Sequence, residues 1–236
     1  MNEVRRKTWL HSVSRSPWPW PWAGVGVCAV LALALFFVLR AQAPAMVVRA
    51  FDALKAGGNM QQADFKRIAS FETPLLAAAK ESGVDPYMLA GIMYNESRGV
   101  GGQTSSAGAM GLMQLSLAAA GDAAKRLDLP KPSEQDLLEN SELNIRLAAR
   151  HWAWLLKHRA DWSEEAVLVS YNAGRTKLMR WIKAAGSYSK WCETEVQAEA
   201  QNRKSTGALR YARNCQNIAS LMRERNWLAV EPARDQ

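Results

Sequence analysis

Residues 85–115 read DPYMLAGIMYNESRGVGGQTSSAGAMGLMQL. Asp85 followed by Pro86 is a helix start, an N-cap residue with proline at the first helical position. From there Leu89, Ile92 and Met93 recur at i, i+3 and i+4, the spacing of an apolar helical face. Glu96 is the next position on that stripe. A carboxylate at the end of an apolar face is out of place unless it is paired or does chemistry. After it the chain turns glycine-rich as far as Thr104, and a second dense segment, Ser105 to Leu115, follows.

The rest of the exported chain is also predicted to be helical. Ile145, Ala148, Trp152, Leu155 and Leu156 mark an amphipathic helix. Asp161 or Ser163 can cap the next one, with Glu164 and Glu165 in its first turn. That helix carries Val167, Leu168 and Tyr171 and stops near Gly174, in the segment Ser170-Tyr171-Asn172-Ala173-Gly174. Asn217, Ile218, Leu221 and Met222 mark a last helix. Alternating strand patterns and internal repeats are lacking. A mostly α domain of roughly 150–160 residues can bury a substantial core.

Toward the N-terminus the pattern changes. Residues 47–57 read as a short helix, broken by Gly57, Gly58 and Asn59. Ala23 to Leu39 is an uncharged apolar run. As a helix it spans roughly 25 Å, enough for a thin bilayer core. Arg5, Arg6, Lys7 and Arg15 precede it, which places the N-terminus in the cytoplasm and everything after Arg40 outside. Trp18, Trp20 and Trp22 alternate with prolines at its edge, as suits a headgroup interface. The rival reading is a signal peptide cleaved at Ala43-Pro44-Ala45, but the leader is long and cleavage would leave a proline first. The expected layout is therefore 1–22 cytoplasmic, 23–40 a single-pass anchor in the inner membrane, 41–69 linker and short helix, 70–228 the main helical domain in the periplasm, and 229–236 a tail.

The net charge of +8 is unevenly spread. Residues 1–45 carry five basic residues and one acidic, residues 46–170 carry 13 and 15, and residues 171–236 carry 12 and 6. The slightly acidic middle and the export signal argue against a nucleic-acid partner. His151 and His158 lie seven apart without a third ligand nearby, so no metal and no cofactor is expected.

Taken together, Glu96-Ser97, the segment SSAGAMGLMQ beginning at Ser105, and SYNAG beginning at Ser170 resemble the lytic transglycosylase family of the lysozyme superfamily, the SLT-type domain. The family pattern reads E-S, then S-x-x-G-A-x-G-L-M-Q, then A-Y-N-A-G. The serine follows the glutamate by nine positions, as in the family. The resemblance covers about residues 70–225 and implies a lysozyme-like (goose-type/SLT) helical domain. Two departures stand out. The family follows its glutamine with a hydrophobic residue, methionine and proline, where this chain has Leu115, Ser116 and Leu117, and it often has glycine where Ala148 stands.

Cleaving a glycosidic bond requires a proton donor, so a carboxyl group must have its pKa raised by desolvation. Glu96 fits that demand. The usual scheme uses two carboxylates. No convincing second one accompanies the motifs: Asp85, Asp161 and Glu164 are explained by capping, and Glu142 stands outside any motif. A lone carboxyl points to substrate assistance, and the resemblance implies the same. Glu96 first protonates the scissile oxygen, then acts as base on the sugar's own C6 hydroxyl, leaving a 1,6-anhydro-N-acetylmuramic acid end. By resemblance Ser105 sits beside Glu96, Met110 lines the cleft, Gln114 offers an amide to the sugar, Tyr171 places its hydroxyl near Glu96, Asn172 contacts sugar or loop backbone, and Tyr211 is a late cleft tyrosine. Trp152 belongs to an apolar stripe and so to the core, whereas Trp181 and Trp191 are sugar-stacking candidates.

Cys192 and Cys215, the two cysteines beyond the membrane, can pair outside the cytoplasm, which would stabilise the fold by about 3 kcal/mol. The expected substrate and partners are peptidoglycan strands, the inner membrane and possible proteins of a secretion or conjugation apparatus. Two other readings stay open: a muramidase that uses water, and a non-catalytic wall-binding subunit of an envelope-spanning machine.

Overall fold

A computed structural model describes residues 62–159 and 161–228, all within one unit, Met46–Gln236. The cytoplasmic segment, the anchor at 23–40, the short helix at 47–57 and the tail at 229–236 lie outside the described residues. No helix among the described residues is long and apolar enough to cross a membrane.

Helices follow one another with short connections: α1 (Gln62–Ala69), α2 (Glu72–Ser82), α3 (Pro86–Ser97), α4 (Leu117–Lys125), α5 (Glu134–Glu139), α6 (Ser141–Lys157), α7 (Glu164–Ala173), α8 (Arg175–Ala185), α9 (Tyr188–Ala200) and α10 (Ala208–Glu224). Between α3 and α4 the only sheet-like pairing among the described residues is two isolated bridges, Thr104 with Met110 and Met110 with Leu115.

The helix starts follow their capping residues. Asp85 accepts from the Tyr87 backbone N–H, with Pro86 at the first helical position. Ser163, not Asp161, caps α7 by accepting from the Ala166 N–H. Ser116, which stands where the family pattern has methionine, caps α4 by accepting from the Ala119 N–H at 3.2 Å. The departure from the pattern therefore supplies a helix terminus.

The centre of the fold is α3. The sequence predicts one apolar stripe, but all residues from Tyr87 to Tyr94 are buried. Neighbours cover it on every side: α1, α2 and above all α10 pack against it. The closest approach is at Gly91, where a Cβ atom would stand 2.5 Å from the Cys215 carbonyl oxygen. Glycine there lets α10 press its backbone onto α3. A second layer forms where α6 packs against α2, α4 and α7, with Trp152 only 1% exposed in the core, as expected. Ala148, the other departure, is also fully buried.

Two expectations are corrected. The helical domain begins before residue 70: Phe65 and Ile68 of α1 are buried in the common core, and Phe65 stacks on Trp227 at 4.8 Å. Cys192 and Cys215 do not pair and are free thiols. Cys215 is fully buried on α10, where Asn95 of α3 donates to its Sγ at 3.3 Å. Cys192 lies on α9, half-buried. A compartment that permits pairing does not bring two thiols together.

Candidate functional site

Glu96 occupies the last turn of α3, one residue before its end. The helix stops because Arg98 takes a left-handed conformation, φ 54°, with its N–H bonded to the Tyr94 carbonyl. Gly99 follows at φ 75°, pressed on Arg67 of α1 so closely that a Cβ would meet it at 3.0 Å. Asp64, buried on α1, pairs with both Arg67 and Arg98. Arg98 also donates to the Tyr94 hydroxyl at 2.7 Å. The turn that carries Glu96 is thus tied to α1 by a buried carboxylate and two arginines. Arg98 is engaged there and forms no bond with Glu96.

The partner of Glu96 comes from α10. The Tyr211 hydroxyl donates to its Oε1 at 2.6 Å. Gly91 makes this possible: α10 can reach α3 only where the Cys215 backbone meets no side chain, and Tyr211 lies one turn before Cys215. The same seam is held by amides. Asn95 donates to the Gly91 carbonyl at 2.8 Å and to Cys215 Sγ, and accepts from the Asn214 side chain.

Glu96 keeps part of its side chain exposed. Burial nevertheless pushes its carboxyl from the ordinary 4.5 up to about 7, and the Tyr211 hydrogen bond opposes only part of that rise. Its place in the last turn works in the same direction, since a helix C-terminus disfavours negative charge. At neutral pH the group is divided between acid and base. It can give a proton to a leaving oxygen and take one back. Burial raises the Tyr211 phenol well above its usual range, so it stays a donor.

The loop from Thr104 to Leu115 is held largely by its own backbone. Ser105 forms a turn in which its Oγ accepts from the Ala109 N–H at 3.0 Å and its carbonyl from the Gly108 N–H at 2.9 Å. Gly111 at φ 76° is forced: a Cβ would lie 2.2 Å from the Leu137 carbonyl and 2.4 Å from Asn144 Nδ2. Asn144, fully buried on α6, accepts from the Met113 N–H at 2.9 Å and donates to the Met110 and Leu137 carbonyls at 3.1 Å.

Against this geometry the expected site residues separate. Tyr171 does not bond Glu96; its hydroxyl donates to the Met113 carbonyl at 3.0 Å. It stays within electrostatic reach, because the Glu96 charge helps burial raise the phenol's pKa. The hydrogen bond to the carboxyl is made by Tyr211. Ser105 is exposed and closes its own turn instead of bonding the carboxyl. Met110 is buried in the core, with its backbone paired on both sides. Gln114 sits at φ 47° and spends its amide donors on the Gly111 and Gln103 carbonyls at 2.9 and 3.2 Å. Asn172 is exposed at the end of α7. Trp191 is buried and stacked on Trp181, centroids 5.4 Å apart, which takes it out of the sugar-stacking candidates.

Several positioning residues escaped the sequence reading. Asn144 had a legible signal: it shares the i, i+3, i+4 stripe of Leu147 and Ala148, where a polar residue needs a buried partner. Asn95 and Asn214 carried none, because their meeting depends on how α3 and α10 cross.

Relatives agree with this fold. A fish protein, lysozyme g of Takifugu rubripes, is 25% identical over 178 residues, covering 71% of this chain and 94% of its own. Two solved structures share the fold at a TM-score of 0.54. An inactive mutant of the lytic transglycosylase Slt from Pseudomonas aeruginosa is 23% identical over 69% of this chain. The 70 kDa soluble lytic transglycosylase from Escherichia coli is 18% identical over 70%. This chain spans only about a quarter of each, 25% and 27% of their lengths. The transglycosylase SLT domain matches residues 74–193, half of the chain and all of α3 to α8. The protein belongs to the transglycosylase SLT domain family.

Proposed function

We propose that this chain is a peptidoglycan lytic transglycosylase in which Glu96 alone serves as acid and then as base. The observation that carries the reading is that burial pushes the Glu96 carboxyl up to about 7 while its one hydrogen-bond partner is a neutral donor. No other carboxylate among the described residues bonds to it.

The chemistry follows from that group. The protonated carboxyl of Glu96 gives its proton to the oxygen linking N-acetylmuramic acid to N-acetylglucosamine, and the C1–O bond breaks. The resulting carboxylate is stabilised by the Tyr211 hydroxyl. It then takes the proton from the C6 hydroxyl of the same muramic residue as O6 closes onto C1. The product is a 1,6-anhydro end, no water is consumed, and Glu96 returns to its protonated form. A pKa near the working pH serves both halves of this cycle. The proposal includes an uncleaved anchor at residues 23–40, which holds the catalytic domain outside the cytoplasmic membrane. Service to a secretion or conjugation apparatus is the finer form of the proposal and rests on that anchor.

The test is digestion of purified peptidoglycan by the full chain, with muropeptides read by mass spectrometry beside Glu96→Gln. Anhydro ends from the parent and none from the variant are expected. Reducing ends would make the protein a muramidase, a reading favoured by the likeness to lysozyme g. No product from folded parent protein would favour the wall-binding reading.

A further inference from the structure

At the opposite end of α3 from Glu96, a cavity of about 560 Å³ opens between the C-terminal ends of α2, α4 and α6. Ten helical residues separate Pro86, at that end, from Glu96, so along the axis the two places stand roughly 15 Å apart. Ser82, Arg126, Arg150, Trp154, Lys157 and His158 contribute to its walls. The volume lies in the range of small-molecule sites.

Three polar atoms of these walls are buried without a hydrogen-bond partner: Ser82 Oγ, Arg126 Nη1 and Arg150 Nε. Such atoms are uncommon in a native interior, because an unmade bond costs desolvation with no return. Here three come from three different helices, Ser82 at the end of α2, Arg126 at the end of α4 and Arg150 within α6, and their residues line one cavity. Neither Arg126 nor Arg150 has an ion-pair partner among the described residues. The carboxylate within reach, Glu81, is engaged on both oxygens by Arg146 at 2.6 Å. The Arg126 guanidinium is braced over the Trp154 ring at 4.7 Å. Its charge is felt next door: burial, then Arg126, pushes His151 down to about 4, with Asp122 opposing weakly.

A structural role accounts for part of this. Cations stabilise helix C-termini, and Arg150 Nη2 donates to the Arg126 carbonyl at 3.2 Å. That contact uses one donor and leaves Arg150 Nε, Arg126 Nη1 and Ser82 Oγ buried without an acceptor, on residues that line the cavity. Two guanidinium groups and a hydroxyl in the walls of one cavity are the chemistry that recognises an oxyanion.

We propose that this cavity is a second binding site, one that takes a small oxyanion, a carboxylate or a phosphate group, on Arg126, Arg150 and Ser82. The site stands apart from the acid and does not depend on the reading of Glu96.

Titration of the full chain with sodium phosphate and, separately, with sodium acetate, followed by the ¹H–¹⁵N signal of Arg150 Nε, tests the site. A saturable downfield shift with one of the anions is expected, and the tighter one identifies the group recognised. Arg126→Gln should weaken that binding roughly tenfold or more, whereas Glu96→Gln should leave it unchanged. Arg150→Lys keeps the charge but removes the Nε donor; read by calorimetry, it should weaken binding too, and its thermal melt checks that the fold survives. No saturable shift with either anion overturns the proposal, as does binding that both folded arginine variants leave intact.

Discussion

Two glutamates, both largely taken out of water and both held by α10, have opposite fates. Glu165 sits in the first turn of α7, where the helix dipole favours its charge. It is bonded by Arg213 of α10 at 3.2 Å and by the Tyr188 hydroxyl at 3.2 Å. Glu96 sits in the last turn of α3, where the dipole disfavours charge, and its partner, two residues earlier on α10, is the uncharged Tyr211. One pairing makes a fixed ion pair that holds helices together. The other leaves a carboxyl able to gain and lose a proton near neutrality. Burial raises the Glu96 carboxyl and its partner brings no compensating charge, whereas Glu165 has a guanidinium beside it.

The largest effect should come from Glu96→Gln, which keeps the shape and removes the proton. Release of anhydro ends should fall by about 10²–10⁴-fold. The variant should also be the more stable protein, but only at higher pH. Glu96 has a folded pKa of about 7 against an ordinary 4.5, so its contribution to stability is fully present below pH 4.5 and is lost as pH rises through 7. Thermal melts at pH 4 and pH 8 should show a gap of about 1–3 kcal/mol in favour of glutamine at pH 8 and almost none at pH 4.

Arg213→Ala attacks the other glutamate. It strands a nearly buried carboxylate and should cost about 2–4 kcal/mol in urea unfolding. Turnover per folded molecule should stay near the parental value; a stable protein with no turnover would mean that the roles of the two glutamates are reversed. Gly91→Ala touches the seam that serves Glu96. Its Cβ would lie 2.5 Å from the Cys215 carbonyl, so α10 must shift at a cost of about 1–3 kcal/mol. Activity should fall as well, since Tyr211 moves with α10.

The smallest change, Tyr211→Phe, is the most informative about the proton. The Tyr211 bond favours the ionised carboxyl, so its loss should move the midpoint of the pH–rate profile upward, by up to about one pH unit. Unfolding free energy should change by only about 1 kcal/mol. A midpoint that moves downward would show that Tyr211 does not govern Glu96.

Much of this was legible before any coordinates. The helix from Pro86 and its odd carboxylate follow from periodicity and capping, because both are local. The same holds for the end of α7 near Gly174 and for Trp152 in the core. The chemistry-bearing tyrosine was harder. The family resemblance placed the Tyr171 hydroxyl near Glu96, where it bonds the Met113 carbonyl, while the bond to the carboxyl comes from Tyr211. Ser105 and Gln114 stand inside their motif, but their polar groups serve the loop's own backbone. A motif records which residues a fold needs together, not which of their atoms meet.

The sequence by itself determined the helices, the family and the glutamate, since capping, spacing and an out-of-place charge are properties of neighbouring residues. Only the tertiary structure decided how that glutamate is held. Tyr211 reaches Glu96 across 115 residues of chain, through a helix crossing that depends on the missing side chain of Gly91. Asn144 fixes the loop through two bonds to backbone more than 30 residues away in sequence, at Met113 and Met110. The two thiols stay apart for the same reason: where helices cross is set by packing summed over the whole core, and no local pattern encodes it.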